Sequence, residues 1–135
     1  MCSDVLKKQI AALKTAGVDA EIVEANNQCY AIVRDLKAPS PPWDKTAYNI
    51  AIAIPAAFDD AALDGFYLEL PYKHADGQHR RVNGGKIRLL EHEWQLVSWH
   101  YPDGKPWQSG RDSLETHITH CKGFFLHRGA VNDYH

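Results

Sequence analysis

Apolar residues recur along this chain in two rhythms, and the order in which the rhythms appear predicts an architecture. Leu6, Ile10 and Leu13 share one face at helical spacing. Ser3 can cap that helix, and Gly17 suits the left-handed position that ends it, so a helix is predicted over 4–16. Ala20 and Ile22 then alternate with acidic neighbours. Asn26-Asn27 tolerates positive φ and reads as a hairpin turn into a β-rich segment with Tyr30, Ile32 and Val33. The run Pro39-Ser40-Pro41-Pro42 leaves few backbone donors for a ladder and breaks the chain. Tyr48, Ile50, Ile52 and Ile54 form the cleanest period-2 stripe and predict a central strand ended by Pro55. Ala51 and Ala53, on its other face, would let a helix pack closely. Phe66, Leu68 and Leu70 predict a fourth strand, stopped by Pro71.

Residues 72–85 are polar and contain three glycines, which predicts a long loop. An aromatic-rich stretch follows over 93–101, then a Pro102-Asp103-Gly104 turn and Pro106-Trp107. Asp112 with Glu115 three residues later has the form of a capping box. Leu114, Ile118, Cys121 and Phe125 mark the buried face of a last helix. The expected class is α+β: an N-terminal helix, a four-stranded antiparallel meander, an irregular segment and a C-terminal helix, in one domain over 1–135.

Composition adds exclusions. Fifteen basic and seventeen acidic side chains leave no broad field for nucleic acid or an anionic membrane. The run His79-Arg80-Arg81, near Lys86 and Arg88, reads as a solvated loop. No apolar stretch approaches the roughly 20 residues that span a bilayer, and the first residues do not form a secretory signal, so a cytoplasmic location is expected. Three cysteines, far apart and odd in number, argue against a disulfide framework or a cysteine zinc site.

Candidate chemistry is sparse. His117 and His120 lie at i and i+3 beside Cys121, which raises a metal reading, but no carboxylate pair completes a known signature. Solvent-facing histidines are the more ordinary account. Cys121 falls on the apolar stripe, where a thiol is a small hydrophobe with a raised pKa. Cys29, on a strand, reads the same way, and Cys2 lies in a frayed end. Ser98-Trp99-His100 carries a serine and a histidine two apart. On an extended segment they point the same way, towards a turn where a site can open. The competing account is a strand edge whose Ser98 and His100 face water while Trp94, Trp99 and Tyr101 pack.

The order of elements is similar to that of the ubiquitin-conjugating enzymes. The blocks Trp94-Gln95…Ser98-Trp99-His100 and Trp107…Gly110…Asp112…Leu114 resemble those of the prokaryotic ubiquitin-conjugating-enzyme-like family E. The likeness covers the chain from the first helix to Leu126 and is specific in the C-terminal third. Trp99 stands where that family usually has arginine, and Ile54-Pro55-Ala56-Ala57-Phe58 only loosely follows its usual Leu-Pro-x-Gly-Tyr-Pro. The resemblance implies a role in a bacterial ubiquitin-like pathway. Its implied partners are a ubiquitin-like modifier, an activating enzyme and a deconjugating peptidase, with no cofactor. It also places the nucleophile position near 97–100, where no cysteine stands. Three accounts follow: His100 as base or transient acyl carrier with Ser98 as its neighbour, non-covalent binding of a modifier, or a distant cysteine that reaches the site. A non-catalytic module that binds modifier or target, and a metal-dependent hydrolase built on the histidines, are the readings from other classes.

Overall fold

The structure, a computed structural model, describes residues 2–75, 77–79 and 81–126. Helix α1 (Asp4–Thr15) starts where Ser3 Oγ accepts the Leu6 N–H at 3.1 Å. It ends in a Schellman motif: Val18 N–H donates to the Leu13 carbonyl, Gly17 N–H to that of Lys14, and Gly17 sits at φ 89°. Strands β1 (Ala20–Ala25) and β2 (Gln28–Lys37) are joined through Asn26 and Asn27, both at positive φ. Next come β3 (Ala47–Ile54) and β4 (Phe66–Glu69).

Two further strands, β5 (Val82–Leu89) and β6 (His92–Val97), correct the expectation of four. The antiparallel sheet runs β1-β2-β3-β4-β6-β5, so β6 pairs with β4 and β5 forms the far edge. Their hairpin turns on Leu90 and Glu91, both with φ above 50°. Neither residue type signals such a turn. Gly84 and Gly85, read as loop glycines, belong to β5, where the register shifts between Val82 and Lys86. A Cβ on Gly84 would meet Leu96 at 2.6 Å, so the close crossing excludes a side chain there.

Helix α2 (Leu114–Leu126) is capped by Ser113, one residue after the expected Asp112. Its box is built by Ser113 and Thr116: Thr116 N–H donates to Ser113 Oγ, and Ser113 N–H to Thr116 Oγ1. Asp112 instead accepts the Gln108 N–H at 2.8 Å, closing the loop ahead of the helix.

Both helices lie on the sheet face carrying Ala31, Val33, Ile50, Ile52, Phe66 and Leu68. Leu6, Ile10, Leu13, Leu114, Ile118, Cys121, Phe124 and Phe125 fill it from above. Each large side chain buried there contributes about 1.5–3 kcal/mol. On the reverse face, among the described residues, no helix packs against Ala51. Tyr30, Ile32, Leu89 and Trp94 form a second cluster around it. The small residues of β3 make room for aromatic rings rather than a helix.

Cys2 and Cys29 are joined by a disulfide, which overturns the reading of Cys29 as a free core cysteine and of Cys2 as a loose end. The bond links the residue before the α1 cap to the start of β2, 27 residues along. A loop of that length is worth about 3.5 kcal/mol on the chain-entropy account. Reduction is expected to lower the melting temperature by roughly 10 °C. Thermal unfolding followed by circular dichroism with and without reductant checks this, and Cys2→Ser should abolish the difference.

Candidate functional site

Residues 98–113 form no regular element and run from the end of β6 to the cap of α2. Their placement depends on packing. At the start, Trp99 N–H bonds back to the Val97 carbonyl at 2.9 Å, a three-residue turn. That turn breaks the extended geometry that would point residues 98 and 100 the same way. Ser98 Oγ donates to Asn83 Oδ1 on the edge strand at 3.1 Å. His100 swings to the other side, where its Nδ1 lies 3.0 and 3.2 Å from the two oxygens of Asp64. The two predicted site residues therefore take different partners.

Asp64 was not singled out by sequence reasoning, because it stands 36 residues before His100 in a loop without a motif. Paired with an ionised carboxylate, which only accepts, Nδ1 of His100 must carry the proton. In the neutral ring Nε2 then keeps its lone pair. Both side chains are exposed, so the pair contributes little stability. Its effect is to set tautomer and orientation.

An open groove of about 520 Å³ lies beside this pair, lined by Leu63, Asp64, His100, Tyr101, Pro106 and Trp107. The Trp107 ring packs against Phe58 and Tyr101. Its indole N–H is shut off from solvent and has no acceptor.

Beneath the groove lies His117, fully buried, where a solvent-facing histidine was expected. Its Nε2 is 2.8 Å from the Gly65 carbonyl and its Nδ1 is 2.5 Å from the Tyr101 hydroxyl. A carbonyl can only accept, so Nε2 carries the proton and Nδ1 accepts from the tyrosine. Gly65 reaches this position at φ 60°, and a Cβ there would stand 2.9 Å from the Val97 carbonyl oxygen. Only glycine fits. His120 is half-buried, its ring 4.2 Å from that of Tyr101 and its Nε2 3.4 Å from the Trp99 carbonyl. Trp99 in turn donates its indole N–H to the His120 carbonyl at 2.8 Å. With both ring nitrogens of His117 engaged, the His117/His120/Cys121 cluster offers no ligand set for a metal.

Burial pushes the His117 imidazole down to about 4, with His120 adding to the effect and the Gly65 carbonyl, Asp64 and Asp112 opposing it. Burial also lowers His120 and raises Tyr101. An unfolded histidine titrates near 6.5. Between about pH 6.5 and 4 the unfolded chain therefore binds a proton that the folded chain refuses. Stability is complete above about pH 6.5 and falls as pH drops towards 4, by on the order of 3 kcal/mol from His117. His120 acts in the same direction; Asp64, Asp112 and the Tyr101 hydroxyl are the other titratable groups facing the ring. Urea unfolding at pH 7.5 and pH 4.5 should show a smaller loss in His117→Gln than in wild type, and equal losses would remove His117 from the account.

No cysteine presents an accessible thiol. Cys121 is fully buried and burial raises its pKa well above the ordinary thiol range, while Cys2 and Cys29 are bonded to each other. Trp43 is buried and its indole N–H donates to the Phe125 carbonyl at 3.0 Å. His74 and His79, expected in a solvated loop, are buried against its ring. Arg80, in the predicted basic run, lies outside the described residues.

A leading helix, an antiparallel sheet, an irregular segment and a closing helix make up the order of the ubiquitin-conjugating-like class. The family model of prokaryotic E2 family E matches residues 5–126, and the chain belongs to that family. Membership links the chain to bacterial ubiquitin-like conjugation and, in general terms, to ubiquitin-like modifiers and their activating enzymes. No curated protein and no solved structure is detectably similar. Among the described residues, no helix is long and apolar enough to cross a membrane.

Proposed function

We propose that this protein takes part in transfer of a ubiquitin-like modifier from its activating enzyme, with His100 as the general base. The observation that carries the reading is the Asp64–His100 pair at an open groove, within the segment where the family resemblance puts the reacting position. Asp64 holds the proton on Nδ1, so Nε2 is available to take one from an attacking amine. If the modifier arrives as a thioester on the activating enzyme, the amine attacks its carbonyl, His100 accepts the amine proton, and the leaving thiolate recovers a proton from the imidazolium. An amide forms, a thioester breaks, and no thiol on this chain is needed.

The same lack of an accessible thiol also favours a second reading, a module that binds the modifier or its target without chemistry. Incubation with the activating enzyme and modifier of the host's own pathway, ATP and an amine acceptor separates the two. Transfer lost in His100→Ala and Asp64→Asn but kept in Cys121→Ser supports the first. Measurable modifier binding with no transfer by wild type would sink it and leave the binding module. Transfer that persists in His100→Ala and disappears in Ser98→Ala would move the chemistry to the serine. A deconjugating peptidase acting on the product completes the pathway in this reading.

A further inference from the structure

We infer that His117 is the positioning residue of the Asp64–His100 pair, holding both of its backbone segments to one buried point on α2. The inference rests on the reading of His100 as a base, but its geometry does not depend on the reaction. The pair joins two segments that are 36 residues apart, and neither residue belongs to a strand or helix. An exposed ion pair contributes at most about 1 kcal/mol and cannot fix two loops by itself. Each segment is anchored one residue away from the pair. Gly65, next to Asp64, accepts from His117 Nε2–H at 2.8 Å. Tyr101, next to His100, donates its hydroxyl to His117 Nδ1 at 2.5 Å.

One imidazole thus bridges the two segments that bring the dyad together. The bridge requires a donor on one nitrogen and an acceptor on the other, which only the neutral ring supplies. Burial favours that neutral form. The ring sits under the groove floor, on a helix whose inner face is locked by Leu114, Ile118, Cys121 and Phe125. A rigid element supporting an exposed catalytic pair through a buried hydrogen-bonded group is an arrangement that active sites need, because small displacements of reacting groups are costly.

Two other features differ in kind. The Cys2–Cys29 bond lies at the α1 cap and the β1–β2 turn, apart from the dyad segments, and the buried Trp43 cluster is held by aromatic packing. Neither bridges the dyad.

The test uses the full chain and 15N NMR of the histidine side chains, with no modifier present. Wild type should show His100 as the Nδ1–H tautomer, bound to Asp64. His117→Phe keeps the ring's bulk and removes both hydrogen bonds. It is expected to shift His100 towards the Nε2–H tautomer that free histidine favours and to lower the transfer rate about 10²-fold. His117→Gln, whose amide offers one donor and one acceptor, should restore both readouts in part. Should His117→Phe fail to fold, Tyr101→Phe removes one arm alone and is expected to give the same tautomer shift in weaker form. A folded His117→Phe that keeps the wild-type His100 tautomer overturns the inference, as does an unchanged tautomer in Tyr101→Phe when that variant is the one measured. A tautomer shift in a protein whose wild type transfers nothing would leave the positioning role standing and remove the function proposed for the pair.

Discussion

Replacing His100 with alanine is expected to slow modifier transfer by about 10²–10⁴-fold, the range that general-base groups supply. Asp64→Asn should also lose activity, for a different reason. An asparagine can present its NH₂ to Nδ1 and favour the Nε2–H tautomer, which removes the base while leaving His100 in place. Neither change should alter folding stability by more than about 1 kcal/mol, because both side chains are exposed. That separation makes the experiment informative: loss of rate with an unchanged urea midpoint assigns a chemical role to the pair. Initial rates with the activating enzyme in excess, alongside equilibrium unfolding of each variant, supply both numbers. Full transfer by His100→Ala would exclude the mechanism.

Phe124→Ala is expected to destabilise the protein by about 3–5 kcal/mol, the usual cost of a buried phenylalanine. Phe124 is fully buried and its ring lies between 4.5 and 5.7 Å, centre to centre, from those of Trp43, Phe66, His79, Trp99 and Phe125. These rings come from β4, α2 and three irregular segments. A cavity at this point cannot be closed by movement of any single neighbour, which places the cost towards the upper end. Trp99 stands one residue before His100, so the loss should reach the site. Urea denaturation gives the free energy, and the His100 tautomer reports whether the site is disturbed before the protein unfolds. A cost below about 1 kcal/mol would mean that the aromatic cluster is not tightly packed.

Legibility in the sequence depended on whether a signal was local. Helix α1 could be read with both ends because its cap at Ser3, its apolar face and its left-handed Gly17 lie within fifteen residues of one another. The Asn26-Asn27 turn and the β3 stripe were legible for the same reason. The β5–β6 hairpin was not. Its turn is made by Leu90 and Glu91, which are forced to positive φ by the pairing on either side, and its first strand contains two adjacent glycines. Only the fit of β6 between β4 and β5 outweighs those local preferences. The cap of α2 falls on Ser113, one residue after the expected Asp112, because Asp112, a suitable cap by type, is used by the preceding loop. Widely spaced cysteines gave no indication of pairing, since β2 brings Cys29 to the α1 cap through tertiary contacts.

By itself, the sequence determined the α+β class, most of the elements, the family and one of the two residues in the exposed pair. His100 was visible because a histidine beside a serine at a turn is a local pattern. Asp64, Gly65 and His117 had no such pattern. They meet His100 and Tyr101 only after the sheet sets the start of β4 beside the end of β6 and α2 closes over them. Tertiary structure also separated Ser98 from His100, through a three-residue turn whose position depends on the packing of Trp99 against α2. Hydrophobic rhythm within a segment follows from its own residues. Which polar groups come within 3 Å of each other is decided by the packing of segments far apart in the chain.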